Sequence, residues 1–159
     1  MKRKITELLT FVLTVIFSAF CLVACNRGGE TTARLVEEHT SATQIVMTIE
    51  KTDGKATAFD ALKSLRNQDL ISFDYSTSSY GAYITSINGK AEVITESTAN
   101  SSKGSSWILY TSDMDSAYDT KTIMIGETVC GQSSLGASSL IVKEGVLYVW
   151  VYEAYEYTW

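Results

Sequence analysis

Ala82-Tyr83-Ile84-Thr85-Ser86-Ile87-Asn88-Gly89-Lys90-Ala91-Glu92-Val93-Ile94-Thr95 decides the fold class. β-Branched and aromatic residues stand on both sides of Asn88-Gly89. Asn-Gly accepts the positive φ that a two-residue turn demands at both central positions, so it is the strongest short hairpin signal. Residues 82–87 and 90–95 therefore read as an antiparallel pair.

The same reading extends in both directions. Upstream, Gln44 to Glu50 alternates, with Ile45, Met47 and Ile49 on one face, as in a strand. Thr52-Asp53-Gly54-Lys55 is a turn. Thr57 then opens a helix, with Asp60 three positions on in the manner of a capping box. Ala58, Ala61, Leu62 and Leu65 fall at i, i+3, i+4 and i+7, one apolar stripe with Phe59 beside it. Ile71, Phe73 and Tyr75 alternate. Downstream, Ser105 to Thr111 and Lys121 to Ile125 read as strands. Leu140-Ile141-Val142 and Val146 to Tyr152 read as a second hairpin about Lys143-Glu144-Gly145. Leu147, Val149 and Val151 point one way in the last strand, and Tyr148, Trp150 and Tyr152 the other. Residues 96–104 and 131–139 read as polar loops. One early helix among about seven strands predicts an α+β domain, an antiparallel sheet with the helix packed on one face.

The first residues read as an address. Met1-Lys2-Arg3-Lys4 is basic, Leu8 to Phe20 is apolar, and Leu22-Val23-Ala24-Cys25 follows. The basic end stays cytoplasmic while the apolar run enters the bilayer. At 13 residues that run is shorter than the roughly 20 that span a membrane. The pattern resembles a bacterial lipobox: residues 1–24 form a signal peptide, and the thiol of Cys25 takes the lipid. Residues 25–43, lipidated at Cys25, are expected as a polar tether with a mean reach of roughly 25 Å. The folded domain is expected over 44–159. The protein is then extracytoplasmic, anchored to the bacterial cell membrane through its lipid.

Hydrophobic residues make up 45% of the 159, enough for one packed core. The formal net charge is −5, and removal of Lys2, Arg3, Lys4 and Glu7 leaves the rest more acidic still. Such a surface repels phosphate, so nucleic acid is not an expected partner. It also offers anionic lipid no basic patch, so attachment rests on the acyl chains. Of Cys21, Cys25 and Cys130, only Cys130 remains as a free thiol, so no disulfide staples the domain. The chain has no proline, and its turns fall to Gly, Asn, Asp and Ser.

No catalytic constellation is evident. The single histidine, His39, lies in the expected tether, away from any nucleophile. Gly131-Gln132-Ser133-Ser134-Leu135 lacks the second glycine of a nucleophile elbow. Cys130 reads as a small buried hydrophobe. Asp113, Asp115 and Asp119 begin like a calcium loop but lack its glycine and third ligand, and read as a solvated acidic loop. No metal and no cofactor are expected, and the chain does not read as an enzyme. The aromatics are more telling. Tyr75-Ser76-Thr77-Ser78-Ser79-Tyr80-Gly81-Ala82-Tyr83 is rich in Tyr, Ser and Thr, and Trp107 and Tyr110 lie on a later strand. Rigid rings among small hydroxyl residues suit recognition at low entropic cost, although aromatics also favour strands for packing alone.

Several of these stretches together resemble one family. The helix start Ala56-Thr57-Ala58-Phe59-Asp60-Ala61-Leu62 is followed by Tyr80-Gly81-Ala82-Tyr83-Ile84-Thr85-Ser86-Ile87-Asn88-Gly89. Then come Ser106-Trp107-Ile108-Leu109-Tyr110 and Lys143-Glu144-Gly145 before an aromatic terminal strand. This succession resembles the transcobalamin-like C-terminal domain family over about residues 44–153. The resemblance implies an early helix on an antiparallel sheet, and a domain that covers one side of a bound cobalamin. It places Tyr80, Tyr83, Trp107 and Tyr110 near the ligand. The expected function is then capture of cobalamin or another corrinoid for uptake, with a transporter subunit or another copy of the chain as the partner that closes the site. The alternative is a cell-surface module that holds a protein or glycan partner, served by the aromatic segment Tyr148 to Trp159.

Overall fold

The computed structural model describes residues 29–159, so the expected signal peptide and Cys25 lie outside the described residues. Ten strands and one α-helix follow in chain order: β1 (Thr31–Leu35), a 3-10 turn (Glu37–His39), β2 (Gln44–Thr52), α1 (Ala58–Asn67), β3 (Phe73–Ser78), β4 (Gly81–Ile87), β5 (Lys90–Ala91), β6 (Val93–Ser97), β7 (Ser101–Thr111), a second 3-10 turn (Met114–Ser116), β8 (Ala117–Ile125), β9 (Thr128–Ser133) and β10 (Leu147–Thr158). Seven strands form the main sheet in the order β1-β2-β10-β7-β9-β8, with β6 also on β7; β3-β4-β5 form a second, small sheet. The domain is α+β.

Local chemistry accounts for the helix and the central hairpin. The Thr57 hydroxyl oxygen accepts from the Asp60 N–H at 3.3 Å, and the Asp60 carboxylate accepts from the Thr57 N–H at 2.9 Å. This reciprocal box satisfies two donors that the first helical turn leaves orphaned. The predicted stripe Ala58, Ala61, Leu62 and Leu65 is fully buried. At the hairpin, Asn88 and Gly89 take φ of 49° and 76°, the positive pair that a type I′ turn requires.

Both faces of the main sheet are covered. Ile45, Met47, Ile49, Trp107, Leu109, Tyr148 and Trp150 point to α1 and the small sheet and form the larger core. Val46, Tyr110 and Val149 point to the opposite face and meet Ile125 and Cys130 of the β8–β9 hairpin. That hairpin arches back over the sheet: a Cβ added at Gly126, in its turn, would stand 3.3 Å from the His39 ring near the far edge. The alternation predicted for β10 holds, with the aromatic face on the larger core.

Four expectations need correction. The segment 25–43 is not all tether, because β1 runs along the edge of β2. Ala33 is buried there, its N–H donating to Ser64 Oγ at 3.1 Å and its carbonyl accepting from Gln68 Nε2 at 2.9 Å. These partners lie on α1 and at its C-terminal cap, thirty and more residues away, so no local pattern marks the strand. The run 90–95 is not one strand: the chain leaves the small sheet at Glu92, whose N–H donates to Thr85 O at 2.8 Å, and joins the main sheet as β6. Most of the expected loop 96–104 is β6 and β7, closed by a tight turn at 98–100 and paired Ser97 to Ser102. Leu140–Val142 is no hairpin strand. It binds the entry to α1, through Ala58 N–H to Leu140 O at 2.8 Å and Val142 N–H to Ala56 O at 2.9 Å.

Candidate functional site

The four residues expected to touch a ligand do not share a face. Tyr80 caps the turn between β3 and β4 and is 92% exposed. Tyr83 on β4 is partly exposed and donates its hydroxyl to Glu92 Oε1 at 2.6 Å. Burial, and after it the Glu92 carboxylate, push the Tyr83 phenol well above its ordinary value. Trp107 is buried in the larger core, donating from Nε1 to Lys90 O at 2.7 Å and packing edge-on against Tyr152. Tyr110 is fully buried on the other side of the same strand and donates to Glu153 Oε1 at 2.9 Å. Three residues apart on one strand, Trp107 and Tyr110 must face opposite ways, and here both faces are covered. Burial and the Glu153 carboxylate push Tyr110 up to about 12.

Tyr83 and Trp107 do meet at one place. On the side of β7 away from β10, β6 is paired only as far as Ser105, and β9 takes over only at Tyr110. Over Ser106–Leu109 no strand is laddered there; β4 lies against the gap instead. A cleft of about 180 Å³ opens between them, with Tyr83, Ile84, Trp107, Ile108, Gln132 and Trp150 in its wall. The other described cleft, about 480 Å³, lies between β1 and the start of α1. It is polar, and three of its charged side chains are held within the domain: Lys63 Nζ sits 2.6 Å from Asp60 Oδ1, and Asp53 caps the turn at Lys55 and Ala56.

A third feature was only partly legible in the sequence. β10 pairs with β7 over its whole length, Tyr148 with Thr111 through Thr158 with Ser101, but with β2 only as far as Val151. Beyond that point β6, β7 and β10 form a projecting ribbon. Leu147 O and Trp159 N–H both bond toward the β7 side, at Ser112 and Asn100, while Tyr152 N–H bonds outward to Thr43 O at 2.8 Å. Because main-chain groups alternate along a strand, Ala154, Glu156 and Thr158 turn their N–H and C=O outward on an edge that has no strand beside it among the described residues. Tyr155 and Tyr157 stack at 5.1 Å, and Trp159, Val93 and Ile94 are largely exposed.

Groups that could support chemistry are dispersed. Cys130 is fully buried, and burial pushes its thiol up to about 11. Ser133 donates to Leu135 O at 2.8 Å, within its own turn. Asp113 is tied to Lys143 at 2.6 Å and to Ser116 at 3.0 Å. Among the described residues no three His, Cys, Asp or Glu stand together as metal ligands would. Comparison with family models, with curated proteins and with solved structures found no match to this chain.

Proposed function

We propose that this chain is a lipid-anchored, extracytoplasmic binding module that takes an extended segment of a protein partner onto the outer edge of β10. The observation that supports this most is the edge over residues 154–158, unpaired among the described residues and flanked by exposed aromatic rings. Such an edge is a template for an added strand, in which main-chain bonds supply affinity and side chains specificity. Natural edges are usually guarded by lysine or proline. β10 has neither, and its Glu153 and Glu156 are each met by a lysine within the domain, Lys121 at 2.6 Å and Lys103 at 2.9 Å. Corrinoid capture is the lesser reading. The cleft shared by Tyr83 and Trp107, about 180 Å³, falls short of the roughly 300–1,000 Å³ that enclose a drug-sized molecule.

The test uses the full chain in its own membrane. A photo-crosslinking residue at Thr158 should give a discrete adduct, and the same residue at Glu38 should not. Ala154→Pro removes an outward N–H while leaving the β7 ladder intact, so it should abolish the adduct without lowering the melting temperature. An adduct that survives this change rejects the proposal. A cobalamin spectral shift on the full chain at micromolar concentration would reinstate capture.

A further inference from the structure

We infer that the segment taken onto the β10 edge is β10 of a second copy of this chain, laid antiparallel about a two-fold axis at Glu156. This rests on that edge being the binding site.

The edge left open among the described residues is bounded at both ends. Tyr152 is closed off, since its N–H already donates to Thr43 O at 2.8 Å, and Trp159 turns its N–H inward to Asn100 O at 3.0 Å. Between them Ala154, Glu156 and Thr158 face outward, evenly spaced about Glu156. Two copies centred there set Glu156 against Glu156 and Ala154 against Thr158, each pair exchanging both main-chain bonds. All of these outward groups are then used. Centring the pair on Tyr155 or on Tyr157 leaves Thr158 or Ala154 of each copy without a free partner.

The side chains suit this register. Tyr155 comes opposite Tyr157 of the other copy, at a position between bonded pairs, where side chains across a ladder approach most closely. The two rings already stack within one copy at 5.1 Å, so the axis builds a single row of tyrosines on one face, and cross-strand aromatic pairs favour pairing. On the other face Glu96, Lys103 and Glu156 stand in register across β6, β7 and β10, with Lys103 Nζ 2.9 Å from Glu156 and 4.0 Å from Glu96. Lys103 of each copy offsets the like charge where the two Glu156 side chains meet. Glu153 is likewise met by Lys121 at 2.6 Å. The edge therefore calls for an aromatic strand whose charges are matched at home, rather than for a basic one, and β10 beyond Val151 is such a strand.

The contact is one strand wide, well under the roughly 1,200 Å² of stable complexes, so it depends on copies held at high local concentration. A shared membrane supplies that. The axis stands normal to the sheet, so two copies lying along one membrane can both be anchored in it. Once paired, the two edges cover each other and the assembly closes as a dimer.

The experiment uses the full chain in its own membrane, with single cysteines on the edge and a mild oxidant. Residues directly opposite in a bonded pair have Cα atoms about 5.5 Å apart, within disulfide range. Glu156→Cys alone should give a disulfide-linked dimer. Ala154→Cys and Thr158→Cys should each stay monomeric alone and cross-link when co-expressed. Glu38→Cys, exposed on the 3-10 turn, should stay monomeric, and the unaltered chain, whose Cys130 is buried, is the blank. Ala154→Pro added to the Glu156→Cys chain should abolish its dimer and leave the melting temperature unchanged. A dimer from Ala154→Cys alone as abundant as that from Glu156→Cys, or no cross-link in the mixed pair, overturns the inference. The photo-adduct at Thr158 separates self-pairing from the reading beneath it. An adduct of twice the chain mass that contains the Ala154 peptide supports self-pairing. An adduct with a different protein overturns self-pairing and leaves the edge a binding site, and the absence of any adduct overturns both.

Discussion

Tyr110 shows how a single side chain can be misjudged. An aromatic on a strand suits a binding face, yet this ring is held beneath the arching β8–β9 hairpin, where Glu153 accepts its hydroxyl and also receives Lys121 Nζ at 2.6 Å. The same packing seals Cys130, which lies on the hairpin itself opposite Ile123 and is buried against Val46, Tyr110 and Val149. Desolvation favours the neutral thiol, and at about 11 almost none is thiolate near neutrality, so its nucleophilicity is suppressed. Alkylation at Cys130, read by peptide mass, should therefore be slow in the native protein and fast in denaturant. Rapid labelling of the native chain would mean that the hairpin does not hold Cys130 against the sheet.

At the scale of elements, α1 carries a charge device as well as an apolar stripe. Burial alone would raise the Asp60 carboxyl, but the Lys63 ammonium and the Thr57 N–H and hydroxyl outweigh it, and the net shift is downward from 3.8. A depressed carboxylate stabilises the fold above its unfolded pKa, and that contribution is lost as pH falls through the folded value. Asp60→Asn should therefore cost about 1 kcal/mol at pH 7. The gap to the wild type should close between the ordinary carboxylate range and about pH 2. Denaturant melts at the two pH values measure it; an unchanged gap in acid would show that the box acts by shape and not by charge. Glu92 makes a second device at the corner between the sheets. There the chain passes from β5 to β6, and the side chain accepts from Tyr83 at 2.6 Å and Tyr155 at 3.4 Å.

For the molecule as a whole, the early start of the sheet at Thr31 leaves only residues 26–30 between Cys25 and the first strand. Six Cα steps span at most about 20 Å, so a domain lipidated at Cys25 stays close to the bilayer. Cys25→Ser should remove the acyl group and leave unprocessed precursor, as metabolic labelling with a fatty-acid analogue would read. Equal labelling of both forms would reject the lipid anchor.

The elements that were legible depend on neighbouring residues. The Thr57–Asp60 box, the positive-φ pair Asn88-Gly89 and the two-residue alternation of β10 each rest on chemistry within a few positions, so the sequence by itself determined them. It also determined that Trp107 and Tyr110 point to opposite faces. It did not say that both faces would be covered. That depends on the β8–β9 hairpin reaching across to His39, a contact between segments some ninety residues apart. β1, with a weak pattern of its own, exists because β2 and α1 satisfy it. Leu140–Val142 gives up a hairpin because the entry to α1 offers its backbone better-placed partners. The cleft at Tyr83 and the open edge of β10 were likewise decided by tertiary structure. Each is a place where one strand ends before its neighbour does, and strand lengths are set by packing against distant residues rather than by propensity along the chain.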